Sequence, residues 1–149
     1  MIDIENLVLD TVFNQLSVLY QDINITAGYD EKTATFPTVI VRQTNNQPYR
    51  ASATDDCSEN HSRITFEIEV ISDKQDTGRS ECHEILADAD EIMQSMKFRR
   101  VHLNRPLNID RTLWRQYARY EAIAAKGREV TTIVDGKPVT NTVFDMYRR

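Results

Sequence analysis

Arg63 to Ser72 constrains the fold more than any other stretch of the chain. Ile64, Phe66, Ile68 and Val70 share one parity, and Thr65, Glu67 and Glu69 share the other. That is the period of two expected of a strand with one apolar and one polar face. A short polar turn later the period changes. From Thr77 to Lys97, Cys82, Ile85, Leu86, Ala89, Ile92, Met93 and Met96 fall on one helical face. Glu81, Glu84, Asp88 and Glu91 fall on the opposite face, and Asp76 is the expected N-cap. A one-sided strand followed by a one-sided helix points to a sheet with helices layered on it.

The remaining elements fit that frame. Residues 3–20 read as a first helix, with Asp3 as its cap. Asp3, Asn6, Asp10, Asn14, Ser17 and Gln21 form a polar stripe against Ile4, Leu7, Val8, Val12, Leu16 and Leu19. Leu9, Phe13 and Tyr20 widen the apolar arc beyond what one sheet contact needs. The excess faces either a neighbouring molecule or another part of the same chain. Short strands are predicted at Ile23–Ala27 and Pro37–Thr44, with a turn around Gly28-Tyr29-Asp30 between them. Residues 45–62 are polar, an 18-residue connection, and loops that long are mostly functional or disordered. Phe98 to Leu107 reads as a short strand plus loop. Residues 110–126 are ambiguous: Asp110, the alanines and Gly127 suit a helix, whereas Trp114, Tyr117 and Tyr120 suit a strand. Asp135-Gly136 between Glu129–Val134 and Pro138–Phe144 is a strong hairpin signal. Its Thr-rich strands have little to bury, so the hairpin, residues 128–147, is expected to project.

Length and charge set further bounds. The 149 residues suit a single domain, 1–149. No apolar run approaches the roughly 20 residues of a membrane span. The opening Met-Ile-Asp-Ile-Glu-Asn lacks a basic leader segment, so secretion is not expected. Two cysteines are too few for a disulfide scaffold and suit a reducing cytosol. Charge is sorted along the chain: residues 1–96 hold 6 basic and 18 acidic side chains, and residues 97–149 hold 12 basic and 5 acidic. Three readings compete. The basic part meets nucleic acid or another polyanion; it meets the acidic part of the next copy in a head-to-tail ring; or folding interleaves the two within one chain.

Signatures of catalysis are sparse. The four glycines are isolated, which excludes a phosphate-cradling loop. Cys57, His61, Cys82 and His83 could be drawn as a zinc set, but Cys82 and His83 are adjacent on a helix, where side chains diverge by about 100°. The same divergence counts against a Cys–His catalytic pair. Asp55, Asp56, Glu67, Glu69 and Lys74 could be drawn as a metal-dependent nuclease site. Glu67 and Glu69 are also simply the polar positions of an alternating strand, and the lysine spacing is wrong. No DNA- or RNA-reading motif organises the arginines. No enzymatic activity, metal or cofactor is expected.

The order of elements resembles the tail terminator (tail-completion, minor tail) proteins of long-tailed bacteriophages. The likeness rests on Phe66-Glu-Ile-Glu-Val-Ile-Ser leading into Glu84-Ile-Leu-Ala-Asp-Ala-Asp-Glu-Ile-Met, and on Tyr117-Ala-Arg-Tyr-Glu-Ala-Ile with a closing Tyr147-Arg-Arg. The resemblance implies that residues 113–125 form a strand. It also implies a structural virion protein, made in the host bacterial cytoplasm, that forms a ring at the head–tail junction, by family likeness a hexamer. The partners would be the tail tube protein and the head-completion or connector protein, with DNA passing through the lumen without specific binding. A head-completion or connector protein of the same neck is the runner-up, and a metal-dependent nucleic-acid enzyme is the alternative from another class. The Val130–Val143 insertion departs from shorter members. The expected fold is α+β: a mostly antiparallel twisted sheet with two helices on one face and a protruding C-terminal hairpin. Tyr49, Arg50, Arg99, Arg100, Arg115, Arg119, Tyr147, Arg148 and Arg149 are the candidate assembly residues, with a solvated surface role the alternative for each. Glu81, Glu84, Asp88 and Glu91 are the candidate lumen- or partner-facing stripe.

Overall fold

In the computed structural model, residues 1–28, 35–50, 59–109 and 111–148 are described. The order is α1 (Glu5–Leu19), β1 (Asn24–Thr26), β2 (Thr38–Pro48), β3 (His61–Ser72), α2 (Gly78–Ser95), β4 (Arg99–Leu103), β5 (Leu107–Ile109), β6 (Leu113–Ala125), β7 (Arg128–Val134), β8 (Lys137–Val143) and β9 (Met146–Tyr147). The main sheet runs β1-β2-β3-β6-β4, and β5 and β9 also pair with β6. Only the β1–β2 pairing is parallel among the described strands. The expected α+β class holds.

Both helices lie on one face. The alternation of β3 points Ile64, Phe66, Ile68 and Val70 at α2, whose Cys82, Ile85, Leu86, Ala89, Ile92 and Met93 are buried. Phe98, just after α2, meets Phe66 edge-on at 5.6 Å between ring centroids. From α1, Ile4, Val8, Val12 and Leu16 complete this core. The wide arc foreseen for α1 is real, and its surplus stays outside: Leu7, Phe13, Val18 and Leu19 are exposed.

Several boundaries differ from the sequence reading. The N-cap of α1 is Ile4, without a side-chain cap, although the Asp3 carboxylate still accepts from the Glu5 N–H at 3.1 Å. At α2 the cap position is Thr77 rather than Asp76. The 45–62 connection is shorter than expected, because β2 continues past a bulge at Thr44 and pairs through Pro48 with Ser62. Its polar Asn46 hides as a strand residue: the Asn46 amide donates to the Ile2 carbonyl at 2.7 Å and its oxygen accepts from the Ser62 hydroxyl at 2.5 Å. Residues 113–125 are a strand, as the resemblance implied, and the helix alternative falls because β6 sits centrally between β3 and β4. Asp110 and the turn at Tyr29-Asp30 lie outside the described residues.

The hairpin is a separate two-stranded sheet. Asp135 and Gly136 take φ of +52° and +75°, the left-handed pair a tight turn of this hand demands. Thr131 and Thr140 hydrogen-bond across the strands at 3.0 Å. The projecting part ends at Val143, not at 147. Phe144 packs against the core, the Ala125 N–H donates to the Asp145 carbonyl, and β9 returns to pair with Ile123 and Ala124.

Candidate functional site

The sheet face opposite the helices carries an ion network that register alone assembles. Arg42 of β2, Glu67 of β3 and Arg119 of β6 are direct cross-strand neighbours, and cross-strand neighbours share a face. Two residues along β3, Glu69 follows on the same face. Glu67 accepts from Arg42 and from the Arg119 Nε at 3.0 Å. Both Glu69 oxygens meet the Arg115 guanidinium, at 2.6 and 2.9 Å, and Arg42 lies 3.7 Å away. Arg63 and Glu121 extend the network at 3.2 Å. Glu67 and Glu69 are 5% and 3% exposed although no helix covers them, because long arginine side chains lie over carboxylates at the pleat. Burial alone would raise the Glu67 carboxyl; hydrogen bonds and charge from Arg42 and Arg119 win and hold it below the usual carboxylate range. The solvent-facing position implied by the alternation is therefore corrected to a buried, paired one.

This arrangement redistributes the candidate assembly residues. Arg115 and Arg119 are committed within the chain, and Arg119 also stacks over Tyr117 at 5.6 Å. Arg100 pairs with the buried Asp90 at 3.1 Å, and Asp90 accepts from the Tyr120 hydroxyl at 2.9 Å. Arg50, Arg99 and Arg148 are exposed. Tyr49 is half-buried beside Arg63, and Tyr147 is half exposed against the His61 ring. Arg149 lies outside the described residues. Of the acidic stripe, Glu81 pairs with Lys74, and Asp88 accepts from Tyr20, whose own phenol is pushed up by burial and by that bond. Glu84 and Glu91 remain exposed. For β3, β6 and the Asp90 region, interleaving within the chain thus accounts for much of the charge segregation.

Two exposed apolar rows remain, one rimmed by acids and one flanked by arginines, with Glu84 of α2 lining the same cavity as Arg105. Between α1 and α2 runs a groove of about 530 Å³ lined by Val18, Leu19, Ile92, Asp88 and Glu91 among others. At the opposite edge of the sheet, β4 and β5 expose Val101, Leu103 and Leu107 beside Arg99 and Arg105. Sequence reasoning singled out Arg99 and the acidic residues but missed Val18, Val101 and Arg105, whose significance depends on which strand is the edge. Arg42 and Asp90 were missed too; a basic residue opposite an acidic strand was the available signal for Arg42.

The catalytic alternatives separate in space. The Cys82 thiol is buried against the Val70 and Trp114 carbonyls, and burial pushes it up to about 12. His83 is exposed on the other side of the helix, and His61 lies at the start of β3. Cys57, Asp55 and Asp56 lie outside the described residues. Glu67 and Glu69 have their oxygens engaged by guanidinium groups, so they are poorly suited to hold a cation. Among the described residues no three His, Cys, Asp or Glu side chains cluster as metal ligands, and no helix is long and apolar enough to cross a membrane. The fold and surface define an α+β domain with one helix-covered sheet face, one ion-paired face and a detached hairpin. No protein-family model matches the chain, and no curated protein matches it in sequence.

Proposed function

We propose that the chain is a structural ring subunit of the head–tail junction of a long-tailed bacteriophage, a tail terminator that caps the tail tube and joins it to the head-completion or connector complex. The observation that carries the assembly part of this reading is the hairpin; the place at the head–tail junction rests on the resemblance in sequence pattern. The hairpin strands pair with each other and with no other strand among the described residues, and Ile133, Val134 and Val139 are exposed. An isolated two-stranded ribbon is only marginally stable in water, so such an element is suited to docking on another subunit. The chain would work as several identical copies, six by family likeness, with DNA passing through the lumen without specific contacts.

Native mass spectrometry across salt concentration, with negative-stain imaging of the protein alone and added to isolated tail tubes, tests the proposal. Closed rings and capped tube ends are the expected result. A chain that stays monomeric throughout and leaves tube ends bare refutes it.

A further inference from the structure

We infer that the α1–α2 groove of one copy receives the β4–β5 edge of the next, a head-to-tail contact repeated around the assembly alongside the docking of the hairpin. The inference rests on the ring reading and specifies the surfaces that reading leaves open.

Both surfaces expose apolar side chains that a lone domain has little reason to display together. Val18 is 81% exposed, and Leu7, eleven residues earlier, stands on the same side of α1. At the other surface, Val101 sits at the β4 bulge and Leu103 and Leu107 follow it. β4 is an end strand of the sheet path, so one side of its backbone has no strand partner among the described residues, and an open strand edge is a standing template for another chain.

Charge selects which surface meets which. Glu91 and Asp88 rim the groove, whereas Arg99 and Arg105 flank the edge. No ion pair engages Glu91, Arg99 or Arg105 among the described residues. Groove against groove or edge against edge would bring like charges together, which disfavours a two-fold contact. Groove against edge pairs acid with base and apolar with apolar. Glu91 of α2 also lines a cavity with Arg100 and Leu103 of β4, but the α1 wall that carries Val18 packs over β2, and β4 is at the far end of the sheet. One copy therefore cannot satisfy itself, and a heterologous contact of this kind closes into a ring or grows as a filament.

The test uses two full-length variants altered only at exposed positions. One carries Val18→Arg and Glu91→Arg; the other carries Val101→Glu and Arg105→Glu. Circular dichroism and a thermal melt establish that each is folded. In native mass spectrometry each variant alone should lose the ring and run as a monomer. Mixed in equal amounts, they retain one intact groove and one intact edge between them. The expected product is a dimer that grows no further. Rings that persist in either variant overturn the inference while leaving the ring reading standing. Two monomeric variants that fail to pair when mixed also overturn it, and point to a tube or connector subunit as the occupant. A wild-type chain that forms no assembly and caps no tube overturns both readings.

Discussion

Removing the two arginines around Glu67 should destabilise the protein more than removing Glu67 itself. The Arg42 and Arg119 side chains are 44% and 50% exposed, whereas the Glu67 side chain is 6% exposed. In Glu67→Ala, both guanidinium groups can turn to water, and Arg42 still has Glu69 nearby. The loss is then mainly charged hydrogen bonds, about 1.5–3 kcal/mol. In Arg42→Met/Arg119→Met, long uncharged side chains still cover the pleat and the carboxylate beneath them is left without a cation, which costs about 3–5 kcal/mol. At a urea slope of about 2 kcal/mol per molar, the double variant should lose roughly 1.5–2.5 M in midpoint. Trp114, half-buried in β6, supplies the fluorescence signal. The pH dependence has opposite signs in the two backgrounds. In the wild type, the folded Glu67 carboxyl titrates below its unfolded value of about 4.3, so its contribution is present above that value and is lost as pH falls through the folded one. In the double variant, burial without a partner raises the folded value, so the penalty is full at neutral pH and shrinks as pH falls. Equal costs for the two variants, or a penalty that does not shrink with acid, would refute the assignment of Glu67 as a buried, arginine-held carboxylate.

Further outcomes follow from single contacts. Gly78→Ala should lower the melting temperature despite alanine's better helix propensity, because a Cβ there would meet the Trp114 Cδ1 at 2.5 Å; overpacking of this kind costs about 1–3 kcal/mol, and unchanged melting would count against that packing. Gly136→Val places a branched residue at φ +75° and should cost about 1–2 kcal/mol within the hairpin. Amide exchange should rise across β7 and β8 while the global urea midpoint stays constant. In a Cys57→Ser background, Cys82 should resist alkylation at pH 8 until urea unfolds the protein, since its thiol is buried and pushed up to about 12. Tyr120→Phe removes the 2.9 Å bond to Asp90 and should cost about 1.5–3 kcal/mol in urea unfolding.

Local periodicity made several elements legible before any coordinates. The alternation in β3, the apolar stripe of α2 and the Asp135-Gly136 turn all depend on residues close together in sequence, so their outlines emerge from the chain itself. Where pairing extends a strand beyond its apolar stretch, sequence reading stopped short. Thr44 to Pro48 carries no hydrophobic pattern and became strand because β3 was there to pair with it. The 113–125 segment shows the converse: its alanines favour helix locally, and its central place in the sheet overrides that preference.

Charge shows the division most sharply. Composition established that acids crowd the first two thirds of the chain and bases the last third, and spacing placed Glu67 and Glu69 together on one face of a strand. Neither could say what lay opposite. The tertiary structure set acidic β3 between Arg42 of β2 and Arg115 and Arg119 of β6, joining residues as many as 77 positions apart. It left Glu91 at a groove and Arg105 at an edge instead. Secondary structure is written in neighbours along the chain; burial, ion pairing and exposed surface depend on neighbours in space, which this sequence brings together only by folding.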